Sequence, residues 1–176
     1  MLNIHSDRLA YRYLLQSDWH FFRTLNQDRN VMHFINDART EEDIRAQSFE
    51  PRLQPWQKGC PHWLCLIICL KNTLTPVGVT GFVDRGNDIA ETGFILDAGF
   101  HGKGIGSESL RDIARFAFNG QGYRKLTATV TAGNEASRRT LLKVGFQQEG
   151  TLRENYFLGG AWQDDWVFGL LSAEFT

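Results

Sequence analysis

Apolar residues along this chain repeat with two different periods. Trp19, Phe22 and Leu25 are spaced as on one face of a helix, and Ser17 ahead of them offers a capping hydroxyl. Before them, Leu9–Leu15 reads as a first strand. Thr40-Glu41-Glu42-Asp43 carries a cap and an acidic first turn, which predicts a second helix ending before Pro55. Pro51–Pro61 holds three of the four prolines and reads as a loop. Beyond it the spacing becomes that of strands: Trp63–Leu70, Val77–Asp84 and Ile89–Leu96, separated by Thr73-Leu74-Thr75-Pro76 and Arg85-Gly86-Asn87-Asp88. Neither link is long enough for a crossover helix, so these runs predict an antiparallel meander.

The helical period returns after Gly106, where Leu110, Ile113, Ala114 and Ala117 mark one face of a helix running to Phe118. Leu126–Thr131 reads as a strand, and Asn134–Val144 as a helix stopped by Gly145, with Phe146 placed to close back onto Leu141. Phe146–Leu152 and Trp162–Leu170 complete the strands. The order predicts a mixed α/β layered fold, a central and mostly antiparallel sheet of six or seven strands flanked by helices. With 176 residues and no linker or repeat, residues 1–176 are expected to form one domain.

Composition narrows the classes. An apolar fraction of 42% and a charged fraction of 22% suit an ordinary globule. No apolar run approaches the ~18 residues of a membrane span, and no leader-like pattern opens the chain, so no membrane association is expected. A net charge of −1 argues against a dedicated nucleic-acid binder, and no direct nucleic-acid contact is expected. In a strand, Cys65 and Cys69 would share a face ~13 Å apart, beyond disulfide reach, and no set of metal ligands is evident. Buried free thiols and a reducing cytoplasmic location are the expectation.

The densest chemical signal is Gly99-Phe100-His101-Gly102-Lys103-Gly104-Ile105-Gly106, between a strand and a helix. Glycines let the backbone approach a ligand, and the first helical turn leaves amides unpaired at the positive end of the dipole. Such a turn holds phosphate, with Lys103 adding charge at the rim. The P-loop string is absent, and a dinucleotide fingerprint fails because Ser107 or Ser109 takes its last glycine position.

Three further segments keep company with this loop: Ala90-Glu91-Thr92-Gly93-Phe94-Ile95-Leu96 before it, Asn134-Glu135-Ala136-Ser137 after the next strand, then Lys143-Val144-Gly145-Phe146 with Glu149-Gly150. In this order and spacing the chain, from about Leu9 to Leu170, resembles the GNAT superfamily of N-acetyltransferases. More closely, it is similar to the branch that acetylates the amino termini of ribosomal proteins. The resemblance implies acetyl-coenzyme A as the cosubstrate, seated in a splay between the fourth and fifth strands. It implies a pyrophosphate held by amides of His101, Gly102, Lys103, Gly104, Ile105, Gly106 and Ser107, although His101 stands where the family usually has Arg or Gln. The pantetheine arm would pair with the backbone of Ile95 and Leu96 and reach Asn134, with Ser137 near the cofactor sulfur. Some relatives form homodimers.

Direct attack by an amine on a thioester needs a neutral amine, a donor for the oxyanion and a proton for the thiolate. The strand amide near Leu96 is the candidate oxyanion donor and Ser137 the candidate proton donor. Glu91 stands where some superfamily members carry a general base. Tyr156 stands where the ribosomal branch can carry a glutamate, with Glu154 nearby, and water is the third option. An α-amine of pKa ~8 loses its proton for ~1.4 kcal/mol at pH 7, against ~4.6 for a lysine, so a peptide amino terminus such as that of a ribosomal protein is the favoured acceptor. Asp84, Asp88, Glu91, Glu149, Glu154, Asp164 and Asp165 are placed to form an acidic mouth for a small cationic acceptor, a polyamine or aminoglycoside. A non-catalytic acyl-coenzyme A binder is the remaining reading. Trp56, His62 and Trp63 form an aromatic group suited to an acceptor wall or to the core.

Overall fold

Leu64–Cys69 is buried along its whole length. Its odd residues, Cys65, Ile67 and Cys69, join a cluster with Phe22, Leu25, Ile44 and Phe49, while Leu64 and Leu66 join a second cluster with Leu110, Ile113 and Phe118. A strand covered on both faces reads as an unbroken apolar run, which is why this segment shows no alternation. Helices therefore lie on both sides of the sheet.

The computed structural model describes residues 2–176. Its strands are β1 (Leu9–Tyr13), β2 (Leu64–Leu70), β3 (Pro76–Asp84), β4 (Ile89–Leu96), β5 (Lys125–Thr131), β6 (Gln147–Leu158) and β7 (Ala161–Leu171). They form one seven-stranded sheet in the order β1-β2-β3-β4-β5-β7-β6. β2, β3 and β4 are the expected antiparallel meander, and only β4 and β5 run parallel. The helices are α1 (Trp19–Gln27), α2 (Arg29–Met32), α3 (Glu41–Ile44), α4 (Glu50–Arg52), α5 (Ile105–Arg115) and α6 (Glu135–Val144). Among the described residues no helix is long and apolar enough to cross a membrane.

Several boundaries differ from the sequence reading for identifiable reasons. β1 stops at Tyr13, and Ser17 caps nothing; the buried Asp18 instead binds the Leu15 amide and Arg12. Thr40 does cap α3, accepting from the Asp43 amide. The helix then continues through Pro51, so the loop begins later than the prolines suggested. The widened turn Arg45–Phe49, where the Glu50 amide reaches back to the Arg45 carbonyl, accommodates a residue that has no N–H of its own. α2 is a short helix that the apolar spacing does not announce. Its signal is Asp28, whose carboxylate caps the Asn30 and Val31 amides. At the other end, Gly145 at φ 112° ends α6, and the Phe146 amide closes onto the Leu141 carbonyl as expected. β6 runs on to Leu158, well past Leu152. Cys65 and Cys69 are buried free thiols, and burial pushes the Cys65 thiol up to about 12.

The start of α5 is tied to β1 across the chain. Glu108 accepts from the Arg8 amide at 2.8 Å, Arg8 Nε at 2.6 Å and the Ser6 hydroxyl at 2.8 Å, while Arg8 Nη1 donates to the Lys103 carbonyl at 3.1 Å. Burial opposes the Glu108 charge, but these donors outweigh it and hold the carboxyl below its usual range. Asp18 is lowered in the same way, burial being outweighed by Arg12 and the Leu15 amide. A depressed folded pKa stabilises the fold above the unfolded value, ~4 for these groups, and the contribution is lost as pH falls through the folded value. Glu108→Gln should cost about 1–2 kcal/mol at pH 7 in urea unfolding, and its deficit against the parent should shrink as pH falls below about 4. An unchanged deficit across that range would remove the charge from the account.

Candidate active site

The site begins with an interrupted ladder. β4 and β5 pair only at Ile89↔Lys125, Ala90↔Leu126 and Glu91↔Thr127. From Thr92 and Ala128 onward each strand stays paired on its other side, β4 with β3 and β5 with β7, but the two no longer bond each other. Expected between the fourth and fifth strands, the splay is there. At the ends of the β3–β4 ladder, Arg85 donates to the Ile89 carbonyl and Asp97 to the Val77 carbonyl. Antiparallel alternation then directs the odd residues of β4 toward β3 and the even residues into the gap. This corrects the expected pairing groups. Ile95 spends its backbone on β3 and only lines the cavities, whereas the backbones of Phe94 and Leu96 face the splay.

Leu96 is half committed. His101 Nε2 lies 2.9 Å from the Leu96 carbonyl. A carbonyl only accepts, so Nε2 carries the hydrogen. The imidazole thus ties the glycine loop to the end of β4 and leaves the Leu96 amide open. Gly102 and Gly104 have φ of 72° and 75°, the left-handed region that side chains rarely adopt. These two turns aim the main chain so that the amides from Gly102 to Ser107 find no acceptor among the described residues. Glu108 is the first to donate, to the Gly104 carbonyl at 3.1 Å. Gly106 sits where a Cβ would lie 3.4 Å from the Phe94 and Leu96 side chains, so helix and strand approach closely. A row of free amides at a helix start fits a diphosphate.

Lys103 takes a different part from the expected one. Its carbonyl is held by Arg8, and its ammonium lies 5.2 Å from the centre of the Phe100 ring. Cations do line the groove, but they are Arg139 and Lys143 of α6, of which the sequence pointed only to Lys143, and to that as part of the Lys143-Val144-Gly145-Phe146 segment. They are one helical turn apart, a spacing that marks a shared face.

Two cavities, of about 490 and 410 Å³, meet at Phe34, Ile35, Phe94, Ile95, Asn134 and Ser137. The larger runs along the glycine loop; the smaller opens beneath β4 and the α2 region. Asn134 Oδ1 caps α6 by accepting from the Ser137 amide at 3.2 Å, which leaves its Nδ2 without a partner among the described residues. The Ser137 hydroxyl likewise makes no hydrogen bond within the described chain and lines both cavities.

Tyr156 reaches the smaller cavity by an irregularity in β6. Between Leu152↔Asp165 and Tyr156↔Gln163 that strand advances four residues while β7 advances two. Bulges of this kind re-aim side chains. Here the phenol lies 2.6 Å from the Ile35 carbonyl and 2.8 Å from Asn36 Oδ1. Burial, and then the Asp37 charge, push its hydroxyl above the usual phenol range. Tyr156 therefore pins the segment after α2 over the gap and is poorly suited to act as a base. Glu154 is exposed, and only its amide is engaged, by Asp164.

The acidic mouth does not form. Of its proposed members only Glu91 and Asp165 line the smaller cavity. Glu91 is ion-paired with Arg85 at 2.7 Å. Asp165, 5% exposed, accepts from Asn155 at 2.8 Å and Thr131 at 3.3 Å. Asp88 pairs with Lys58 and Glu149 with Lys125, both away from this cavity. The aromatic group divides. Trp56 packs edge-on against Phe82 in the core, His62 meets the Pro55 carbonyl, and Trp63 alone lines the cavity.

Residues 8–147 match the family model described as "Acetyltransferase (GNAT) domain". The chain is 28% identical over 157 residues to the uncharacterized N-acetyltransferase p20 of Bacillus licheniformis, covering 88% of this chain and 78% of that protein. It is 30% identical over 143 residues to the ribosomal-protein-serine acetyltransferase of Escherichia coli, covering 80% of this chain and 75% of that one. Among solved structures, spermidine N-acetyltransferase from Vibrio cholerae in complex with CoA and spermine superposes with a TM-score of 0.78 at 19% identity, over 95% of this chain and 97% of that one. At that identity the superposition speaks for the fold alone. With the splayed strands, the amide-lined turn and the sequence match in agreement, the chain belongs to the GNAT acetyltransferase family and is an acetyl-CoA-dependent N-acetyltransferase.

Proposed function

We propose that the acceptor is an α-amine, that of a protein amino terminus such as a ribosomal protein's, acetylated in the cytoplasm. The observation that carries this reading is that both carboxylates lining the acceptor cavity, and the Tyr156 phenol with them, are already engaged. Glu91 is paired with Arg85, Asp165 is held by Asn155 and Thr131, and the Tyr156 hydroxyl is bound to main chain. A site with no unengaged base suits an amine that is partly neutral on arrival. Deprotonation at pH 7 costs ~1.4 kcal/mol for an α-amine against ~4.6 for a lysine ε-amine. The 30% identity to a ribosomal-protein-serine acetyltransferase supports the same class.

In this reading acetyl-CoA lies with its diphosphate on the amides from Gly102 to Ser107 and its arm along the backbones of Phe94 and Leu96. The acceptor enters through the smaller cavity. Its nitrogen attacks the thioester carbon, the open β4 amides stabilise the oxyanion, and the carbon–sulfur bond then breaks. Ser137 donates its hydroxyl proton to the departing thiolate and takes one back from water, so that no alkoxide is left. The amine proton leaves to water, because Glu91, which lines the same cavity, is held by Arg85.

Ser137→Ala should lower kcat about 10- to 100-fold toward an amino-terminal peptide while leaving the Kd for acetyl-CoA within about twofold, read by thiol release and calorimetry. An unchanged kcat would remove Ser137 from the chemistry. For the parent, kcat/KM should rise with pH and level off near ~8, the pKa of the acceptor α-amine. A rise continuing toward ~10 would point to an ε-amine acceptor instead. Gly104→Ala forces a side chain into the left-handed region, at a cost of about 1–2 kcal/mol, and should weaken coenzyme A binding about tenfold. Unchanged affinity would detach that turn from the diphosphate.

A further inference from the structure

The acceptor cavity carries two arginines that no carboxylate neutralises. Arg39 and Arg52 both line it, and neither forms an ion pair among the described residues. Every contact they make is to a neutral group. Arg39 donates to Ser48 Oγ at 2.8 Å and to Asn26 Oδ1 at 3.0 Å, and its Nε is buried without a partner. Arg52 donates through Nη1 to the Ser48 carbonyl at 2.9 Å and lies 5.8 Å from the Trp63 ring centre. Its Nε and Nη2 make no hydrogen bond within the described chain. Ser48 thus holds both guanidinium groups, one by its hydroxyl and one by its carbonyl, so two like charges are kept as neighbours. Burial, and with it the Arg39 charge, lowers the Arg52 pKa from the usual arginine value.

Both side chains are partly buried, and a cation withdrawn from water without a counter-ion is costly, two side by side more so, unless an anion completes the arrangement. The two acids of the same cavity do not serve, since Glu91 is taken by Arg85 and Asp165 by Asn155 and Thr131. The cations also connect to the reaction. Trp63, beside Arg52, lies 3.5 Å from where a Cβ on Gly93 would be, and Gly93 precedes Phe94, whose backbone faces the splay. From the thioester a path therefore leads along β4, past the indole, to the guanidinium pair.

We propose that Arg39 and Arg52 form an anion subsite that takes a carboxylate carried by the acceptor amine. The proposal rests on the acetyl-transfer reading and deepens it: the acceptor is an amino acid, or a chain with an acidic group close to the reacting amine. Arginine is the side chain suited to this work, because its fork of donors matches a carboxylate in two parallel bonds. The same pair repels polyamines, so the subsite selects against the acceptors that an acidic mouth would have drawn.

The test compares acceptors in matched pairs that differ only in that charge. The α-amine pairs are serine and serinamide, Ser-Gly and its amide, and Ser-Asp and Ser-Asn peptides. Nα-acetyl-lysine and its amide serve as the ε-amine pair. In at least one pair kcat/KM should favour the acid about tenfold or more, and Arg52→Gln should bring that ratio within about twofold of unity. Arg52→Lys should retain part of the preference. Calorimetric acetyl-CoA affinity within about twofold of the parent certifies that each variant is folded. Ratios at or below unity in every pair overturn the subsite and leave the α-amine reading standing. Turnover of ε-amines alone overturns the α-amine reading, and the lysine pair still decides the subsite. Should no acceptor turn over, the arginine Nε resonances decide: a saturable shift with the acids and none with the amides supports the subsite, and no shift with either overturns it.

Discussion

A missing set of backbone hydrogen bonds organises this molecule. Three residue pairs join β4 to β5, and then the strands part while each remains anchored on its outer side. Unpaired main-chain groups inside a protein are costly, so a gap of this kind persists only when something else satisfies it. Parallel pairing supplies the means: β4 and β5 enter the sheet in the same direction, so both can lean away at their carboxyl ends without breaking a hairpin. The extended arm of acetyl-CoA is an occupant of suitable shape, bonding as an added strand would.

What surrounds the gap holds its walls apart. Gly106 brings α5 close to Phe94 and Leu96, and His101 fastens the glycine loop to the Leu96 carbonyl. Arg8 and Glu108 brace the other side of that loop. On the β5 side, Asn134 fixes the start of α6 and with it the place of Ser137. The segment after α2 is pinned across the top by Tyr156. The Arg8 and Tyr156 contacts join residues distant in sequence and the others fix local turns, so the amide-lined turn and the acceptor cavity are held in one frame. A rigid frame matters because positioning of reactants supplies much of a catalytic rate.

Legibility from sequence followed the range of the interactions involved. The β2 run, the meander turns and the left-handed Gly145 depend on neighbours a few residues away, and all could be read. The glycine loop could also be read, because free amides at a helix start are a local property. Register was not accessible: that Phe94 rather than Ile95 faces the splay depends on which edge of β4 meets β3. Nor could the sequence show that Lys103 turns onto Phe100 while Arg139 and Lys143 line the groove, since that depends on how α5 and α6 lie together. Arg39 and Arg52 were missed for a related reason. One follows the α2 region and the other ends α4, with nothing in their spacing to link them.

The same distinction explains the failure of the acidic mouth. Seven carboxylates near the ends of strands suggest a negative field when counted along the chain. Folded, Asp88 and Glu149 are neutralised by Lys58 and Lys125, Asp84 and Asp164 accept from main-chain amides, Glu154 is exposed away from the cavity, and Glu91 has its own arginine. Formal charge is therefore a poor guide to the potential inside a cavity, where unpaired groups dominate and screening is weak. By that measure the acceptor cavity is cationic at its far end, with Arg39 and Arg52, although the chain carries a net charge of −1. An amine must nevertheless arrive there to react. In the proposed reading distance resolves this: the amine takes the junction beside Ser137, and the positive charge lies past Trp63, where it would act on whatever else the acceptor carries.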